Sequence, residues 1–154
     1  ASDFHARYSA IKKTYHYHLH LDPVADPFVA PYRYHVFEKI DLTALREACP
    51  LFLGTKDFTS FANEADRGSA AHDPIRTLLR FEPFVQPGGI RPELEADGFL
   101  YKMVRNLVGT LLDVAKGKTS PSQIAEIFAA KDRRQAGAAA PPQGLFLIRV
   151  DYNI

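Results

Sequence analysis

The stretch IRTLLRFEPFVQPGGIRPELEADGFLYKMVRNLVGTLLDVAKGK, residues 75–118, decides the fold. Its first part holds two extended runs, 75–85 and 90–97, joined by Gln86-Pro87-Gly88-Gly89, which predicts a hairpin with glycine at the turn. Pro92 cannot donate to a β-ladder, so the second strand is expected at a sheet edge or with a late start. The second part, 98–118, has helical spacing. Phe99, Met103, Leu107 and Leu111 form one apolar row and Leu100, Val104, Val108 and Leu112 the next, so over half the circumference should be buried. Lys102, Asn106, Gly109, Asp113 and Lys116 fill the remaining arc, and Gly117 is placed to end the helix in a left-handed turn. Arg105 stands at the border, beside Tyr101 and Leu112. Two readings of it stand. Its stem can snorkel along apolar surface with the guanidinium in water, or its rigid donor fork can be held at a buried edge to pair with a carboxylate or phosphate.

Upstream, KKTYHYHLHL alternates from residue 14, with Tyr15, Tyr17, Leu19 and Leu21 on one side and Thr14, His16, His18 and His20 on the other, a strand with one buried face. A Pro-rich connection leads to DLTALREACPLFLG, where Asp41 is an N-cap, Leu42, Leu45, Cys49, Phe52 and Leu53 make a helical stripe, and Pro50 predicts a kink or early end before Gly54. The polar run 63–73 is the segment expected to be most mobile. Downstream, Ser120, Pro121 and Gln123 form a capping-box start for a second helix, and LFLIRVDY, 145–152, is a last strand whose apolar run suggests burial on both faces. The order strand, helix, strand, strand, helix with a short extra helix, strand is the split βαβ or ferredoxin-like arrangement. The expected fold is α+β, one domain with an antiparallel sheet and helices on one face.

The chain has 154 residues, 46% hydrophobic and 24% charged, with net charge +1, which suits one soluble globular domain with a substantial core. No run approaches a membrane span, and the first ten residues lack a signal-peptide layout. They also start without Met, so a processed or truncated product is expected. The single Cys49 excludes an internal disulfide and points to a reducing compartment, cytoplasm or a plastid or mitochondrion after processing. Cationic residues cluster at the start of the chain: His5, Arg7, Lys12 and Lys13.

Three imidazoles on one strand face, His16, His18 and His20, with His35 as a fourth, could converge on a metal, but zinc also needs ligands from another element, so a solvated or helix-covered face is the simpler reading. No glycine-rich phosphate loop, nucleophile elbow or metalloprotease helix is present. Cys49 lies on an apolar stripe, where thiols are inert. Tyr15 and Tyr17, beside a basic cluster, could stack single-stranded RNA or belong to the core.

Six stretches in order carry a resemblance over nearly the whole chain: DFHARYSA (3–10), TYHY (14–17), LGTKDFTSF (53–61), ADGFLYKMVRNLVG (96–109), KDR (131–133) and PPQGLFLIRVDY (141–152). Together they resemble the tRNA pseudouridine synthase A family. The resemblance implies an isomerase that converts uridine to pseudouridine in the anticodon stem-loop of tRNA, without cofactor or metal. It further implies two ferredoxin-like halves whose sheets run together around a cleft, and a homodimer. The family's catalytic aspartate sits in a Gly-Arg-Thr-Asp block of the N-terminal half, and no such block occurs here, so the chain resembles the C-terminal half, to be completed by an N-terminal half in cis or in trans. By the same resemblance Arg105 matches the arginine that pairs with that aspartate, Tyr15 the active-site tyrosine that packs on the uracil, and Arg7 the arginine that enters the space of the flipped base. His5, Lys12, Lys13 and Lys102 are the further RNA-binding candidates. Thr14 and His16 stand where basic residues are common in the family. The alternatives are an RNA-binding pseudo-enzyme, as part of a larger ribonucleoprotein assembly, and an unrelated ferredoxin-like regulatory domain.

Overall fold

The computed structural model describes residues 3–63 and 73–153. Most of the polar run 63–73 lies outside the described residues. The first strand is one long segment in two pieces, β1 (Ala10–Tyr17) and β2 (Leu19–His20). At the break, His18 donates its N–H to Gly144 O at 2.8 Å and accepts from Tyr34 N. After β3 (Tyr34–His35), Asp41 caps α1 (Leu42–Ala48), its carboxylate accepting from the N–H groups of Thr43 and Ala44. Pro50 ends that helix early, and a 3-10 turn, Cys49–Phe52, takes over. β4 (Gly54–Asp57), β5 (Ile75–Gln86) and β6 (Gly89–Ala96) follow, the last two joined by Pro87 and a left-handed Gly88 with φ +75°. Then come α2 (Met103–Ala115), α3 (Gln123–Ala130) and β7 (Leu145–Tyr152).

The long strands lie in the order β4-β5-β6-β1-β7, with β2 and β3 prolonging one end. β6 is antiparallel to both β1 and β5, so those two run parallel with a strand between them, which is the split βαβ arrangement. The helices cover one face. Under them Phe52, Phe58, Phe61, Phe81 and Phe128 form an aromatic cluster with centroids as close as 4.8 Å, tying α3 to the sheet. Each such edge contact contributes about 0.5–1.5 kcal/mol beyond simple burial.

The structure corrects five expectations from the sequence. β6 is a central strand despite Pro92, because Pro92 falls where β1 gives way to β2, between the pairs His16↔Glu93 and Leu19↔Ile90, so the missing donor faces a gap. The helix expected over 98–118 begins only at Met103: Asp97 is still bonded to Thr77, and Lys102 is left-handed at φ +58°, so residues 98–102 make the turn off the sheet. The polar arc of that helix is not a solvated face, since Gly109 and the adjoining Thr110 are buried beneath residues 137–140 and Asn106 is buried against Phe61, Asn63 and Arg133. Finally, β7 is an edge strand with no buried residue, and Leu147 and Ile148 are half exposed. At the start of α3, Gln123 Oε1 accepts from Ser120 N–H at 2.7 Å, but the Ser120 hydroxyl turns to Ser122, so only half of the capping box forms.

Candidate active site

Arg105 lies in the first turn of α2, half-buried. Its Nε–H donates to Ala140 O at 2.6 Å, while the Ala140 N–H donates to Arg105 O at 3.0 Å. A side chain held this way does not snorkel. Among the described residues its two terminal nitrogens find no acceptor and the guanidinium has no ion pair, so a planar fork with two donors remains available.

Tyr17 lies next to this group. Its hydroxyl donates to Pro141 O at 2.5 Å, the carbonyl following the one Arg105 grips. Burial raises the Tyr17 phenol far above the ordinary range, against the opposing pull of the Arg105 charge. Tyr15 is two residues away on the same strand face, roughly 7 Å along the strand. It is half-buried and packs edge-on against Phe99, centroids 5.2 Å apart. Burial also raises its phenol above 10, so both tyrosines keep their protons at neutral pH.

Phe99 connects Tyr15 to a polar cleft of about 320 Å³ lined by Arg7, Tyr8, Lys13, Asp73, Arg76 and Asp97. The structure thus brings Arg7 and Lys13 together near Tyr15. The two carboxylates in the cleft are engaged by backbone, Asp73 by Ile75 N–H and Asp97 by Thr77 N–H, each at 2.9 Å. His5 shapes the turn that presents Arg7: its Nδ1 accepts from the N–H groups of Arg7 and Tyr8 at 3.2 Å. Lys102 stands at the entry to α2 with Nζ 5.3 Å from the Tyr101 ring centroid. Lys12 is not part of this grouping. It points to the opposite face of the sheet, 3.4 Å from Glu95 and 3.8 Å from Asp151. Sequence reasoning missed Arg76, because a cation on an expected hairpin strand carries no signal of its own, and misassigned Phe99 to a helical row.

The histidines are spread over separate partners. His16 Nε2 is 3.2 Å from Glu93, His18 Nδ1 3.0 Å from Gln86 Oε1, and the Nε2 atoms of His20 and His35 each lie 2.8 Å from a backbone carbonyl, Val24 and Asp22 respectively. Among the described residues no three His, Cys, Asp or Glu side chains are grouped so as to hold a metal ion. The Cys49 thiol is buried, which pushes its pKa up to about 12 and leaves it protonated. Among the described residues no helix is long and apolar enough to cross a membrane.

A family model described as tRNA pseudouridine synthase matches residues 48–153. The chain is 60% identical over 150 residues to tRNA pseudouridine synthase A 1 of Protochlamydia amoebophila, covering 97% of this chain and 59% of that protein. It is 41% identical over 150 residues to tRNA pseudouridine synthase A of Methylacidiphilum infernorum, covering 97% and 58%, and 39% identical over 150 residues to that of Bacillus subtilis, covering 97% and 60%. The chain therefore spans about three fifths of the length of these curated relatives.

Proposed function

The chain belongs to the tRNA pseudouridine synthase A family, and from that premise we propose that it supplies one half of an active site that isomerises uridine to pseudouridine in the anticodon stem-loop of tRNA. The observation that carries this reading is Arg105. One nitrogen is committed to Ala140 O and two are not, which suits a bidentate grip on a carboxylate brought by another part of the protein. Such a grip holds the carboxylate ionised and aimed.

The reaction breaks the bond from N1 to the ribose C1′ and forms one from C5 to C1′. N1 gains a proton and C5 loses one. The aspartate attacks or assists at the ribose, and the base rotates before it rejoins. Tyr15 packs on the uracil, and its phenol can relay the C5 proton, receiving it at Oη as its own hydroxyl proton passes to solvent, so that the ring stays neutral throughout. Extruding the target nucleotide costs a few kcal/mol of stacking, which Arg7, entering the vacated space, offsets together with Lys13 and Lys102. His5 acts by shaping the Arg7 turn, and Lys12 contacts RNA only if it leaves its carboxylate partners. No cofactor or metal enters this scheme.

The remaining half docks in cis or in trans along β7. This strand has an open edge and half-exposed Leu147 and Ile148, which a second sheet would cover. A homodimer completes the working enzyme.

The test uses tRNA tritiated at C5 of uridine. The chain alone should release no label. Joined to the part of the Protochlamydia amoebophila relative that it does not span, it should release label, and Arg105→Lys should lower that turnover about 10²–10³-fold with tRNA affinity nearly unchanged. Equal losses in turnover and affinity would reduce Arg105 to a phosphate contact. RNA binding by the joined protein with no release at all would favour a pseudo-enzyme within a ribonucleoprotein.

A further inference from the structure

Residues 136–144 cross α2 as a strap, and missing side chains fix where it lies. A Cβ on Gly109 would stand 1.8 Å from Ala138 O, one on Gly137 would stand 2.8 Å from Thr110 Cα, and one on Gly144 would stand 2.9 Å from the Tyr17 ring. All three positions are too close for any side chain, so the strap rests directly on the helix backbone and on Tyr17. Hydrogen bonds then pin it along its length. Arg133 reaches Ala136 O at 3.4 Å and Asn106 Oδ1 at 2.8 Å, and Gly137 N–H donates to Thr110 Oγ1 at 2.9 Å. Ala140 N–H donates to Arg105 O at 3.0 Å, and the Tyr17 hydroxyl donates to Pro141 O at 2.5 Å. Tyr17 and Arg105 thus hold consecutive carbonyls of one extended turn.

We infer that the strap is a positioning device for Arg105, with Tyr17 and Gly109 as positioning residues that fix the plane of the guanidinium fork. The inference rests on the reading of Arg105 as the carboxylate's partner and adds what aims it. Arginine has four rotatable bonds, and a guanidinium tied only through its stem would sample many orientations. Anchoring Nε to a carbonyl that cannot itself move leaves one plane for the other two donors. An arginine serving only to attract phosphate needs no such seat. Arg7, in the open cleft, has none: its guanidinium lies 5.7 Å over the exposed Tyr8 ring. Thr110, Asn106 and Arg133 act further back, by setting where the strap begins.

The test again uses the joined protein and C5-tritiated tRNA. Tyr17→Phe removes only the bond to Pro141 O and keeps the ring that packs on Gly144. It should lower kcat roughly tenfold to hundredfold while KM for tRNA and the melting temperature stay close to wild type. In the same variant the Ala140 amide should exchange with solvent faster, and the Arg105 Nε–H resonance should shift and broaden. Gly109→Ala should give the same pattern more strongly, with some loss of stability. An unchanged kcat in Tyr17→Phe, or equal changes in kcat and KM, would overturn the positioning role while leaving the proposed activity intact. Absence of label release from the unmutated joined protein would overturn the activity reading and this inference with it.

Discussion

The two faces of the sheet bury polar groups by opposite means. On the helix side, within α2, Asn106 is fully buried and neutral: it donates to Phe61 O at 2.7 Å and Asn63 Oδ1 at 2.9 Å and accepts from Arg133 at 2.8 Å. On the helix-free face, Glu93 is buried among charges, with Arg80 and Arg91 at 2.7 Å and His16 at 3.2 Å. Around it, Lys12 lies near Glu95 and Asp151, and Arg149 pairs with Asp151. The comparison teaches that cation density is a poor guide to a functional surface. The richly charged face has spent its donors on its own carboxylates, whereas α2 leaves two donors of Arg105 uncommitted.

The largest effect expected from breaking this contrast is Asn106→Ala. It removes the shortest hydrogen bond of Arg133 and leaves the buried Phe61 carbonyl without its donor, so urea unfolding should show a loss of about 3 kcal/mol that 1 M salt does not restore. A loss that salt relieved would place charge repulsion on the helix side too. Glu93→Gln keeps the shape but removes the anion that faces the two guanidinium groups of Arg80 and Arg91. Because Arg80 and Arg91 are about a third exposed, the expected cost is smaller, about 1–2 kcal/mol. Here 1 M salt should recover part of the loss, and an identical cost at low and high salt would erase the difference between the faces.

The smallest effect is on pH. Burial lowers the His16 imidazole below its ordinary 6.5, outweighing the Glu93 carboxylate, which Arg80 and Arg91 already neutralise. Burial likewise lowers His18, outweighing its hydrogen bond to Gln86. Between these depressed values and 6.5 the unfolded chain binds more protons than the folded one, so stability is full above 6.5 and falls as pH drops through that window. Replacing both histidines with Gln should flatten the slope of stability against pH from 7 to 5. An unchanged slope would assign the acid sensitivity to other groups.

Much of the architecture is legible in the residues because it is encoded locally. Asp41 caps its helix, Pro50 shortens it, Gly117 is left-handed at φ +72°, and the Pro87-Gly88 turn pairs two strands, each through contacts a few residues apart in the chain. The candidate site was legible only in part. Arg105 stands out as a cation on a greasy helix, and the family resemblance implies a carboxylate partner for it, but nothing in periodicity marks Tyr17 as more than a core aromatic or Arg76 as part of a cleft.

What the sequence determined by itself is thus the long strands and the helices, though not the short β3 and β4, with their order, the split βαβ topology and the family, since these follow from short-range preferences and from a pattern of residues spread along the chain. What only the tertiary structure decided is which surfaces are covered. Pro92 sits in a central strand because β1 breaks opposite it, and the polar arc of α2 is buried because a strap 27 to 35 residues away in sequence lies on it. Lys12 and Lys13 part company because consecutive residues of a strand face opposite ways, and only the neighbouring strands say that one side holds Glu95 and Asp151 and the other a cleft. Burial and pairing belong to the pair of surfaces that meet, and a linear pattern specifies only one of them at a time.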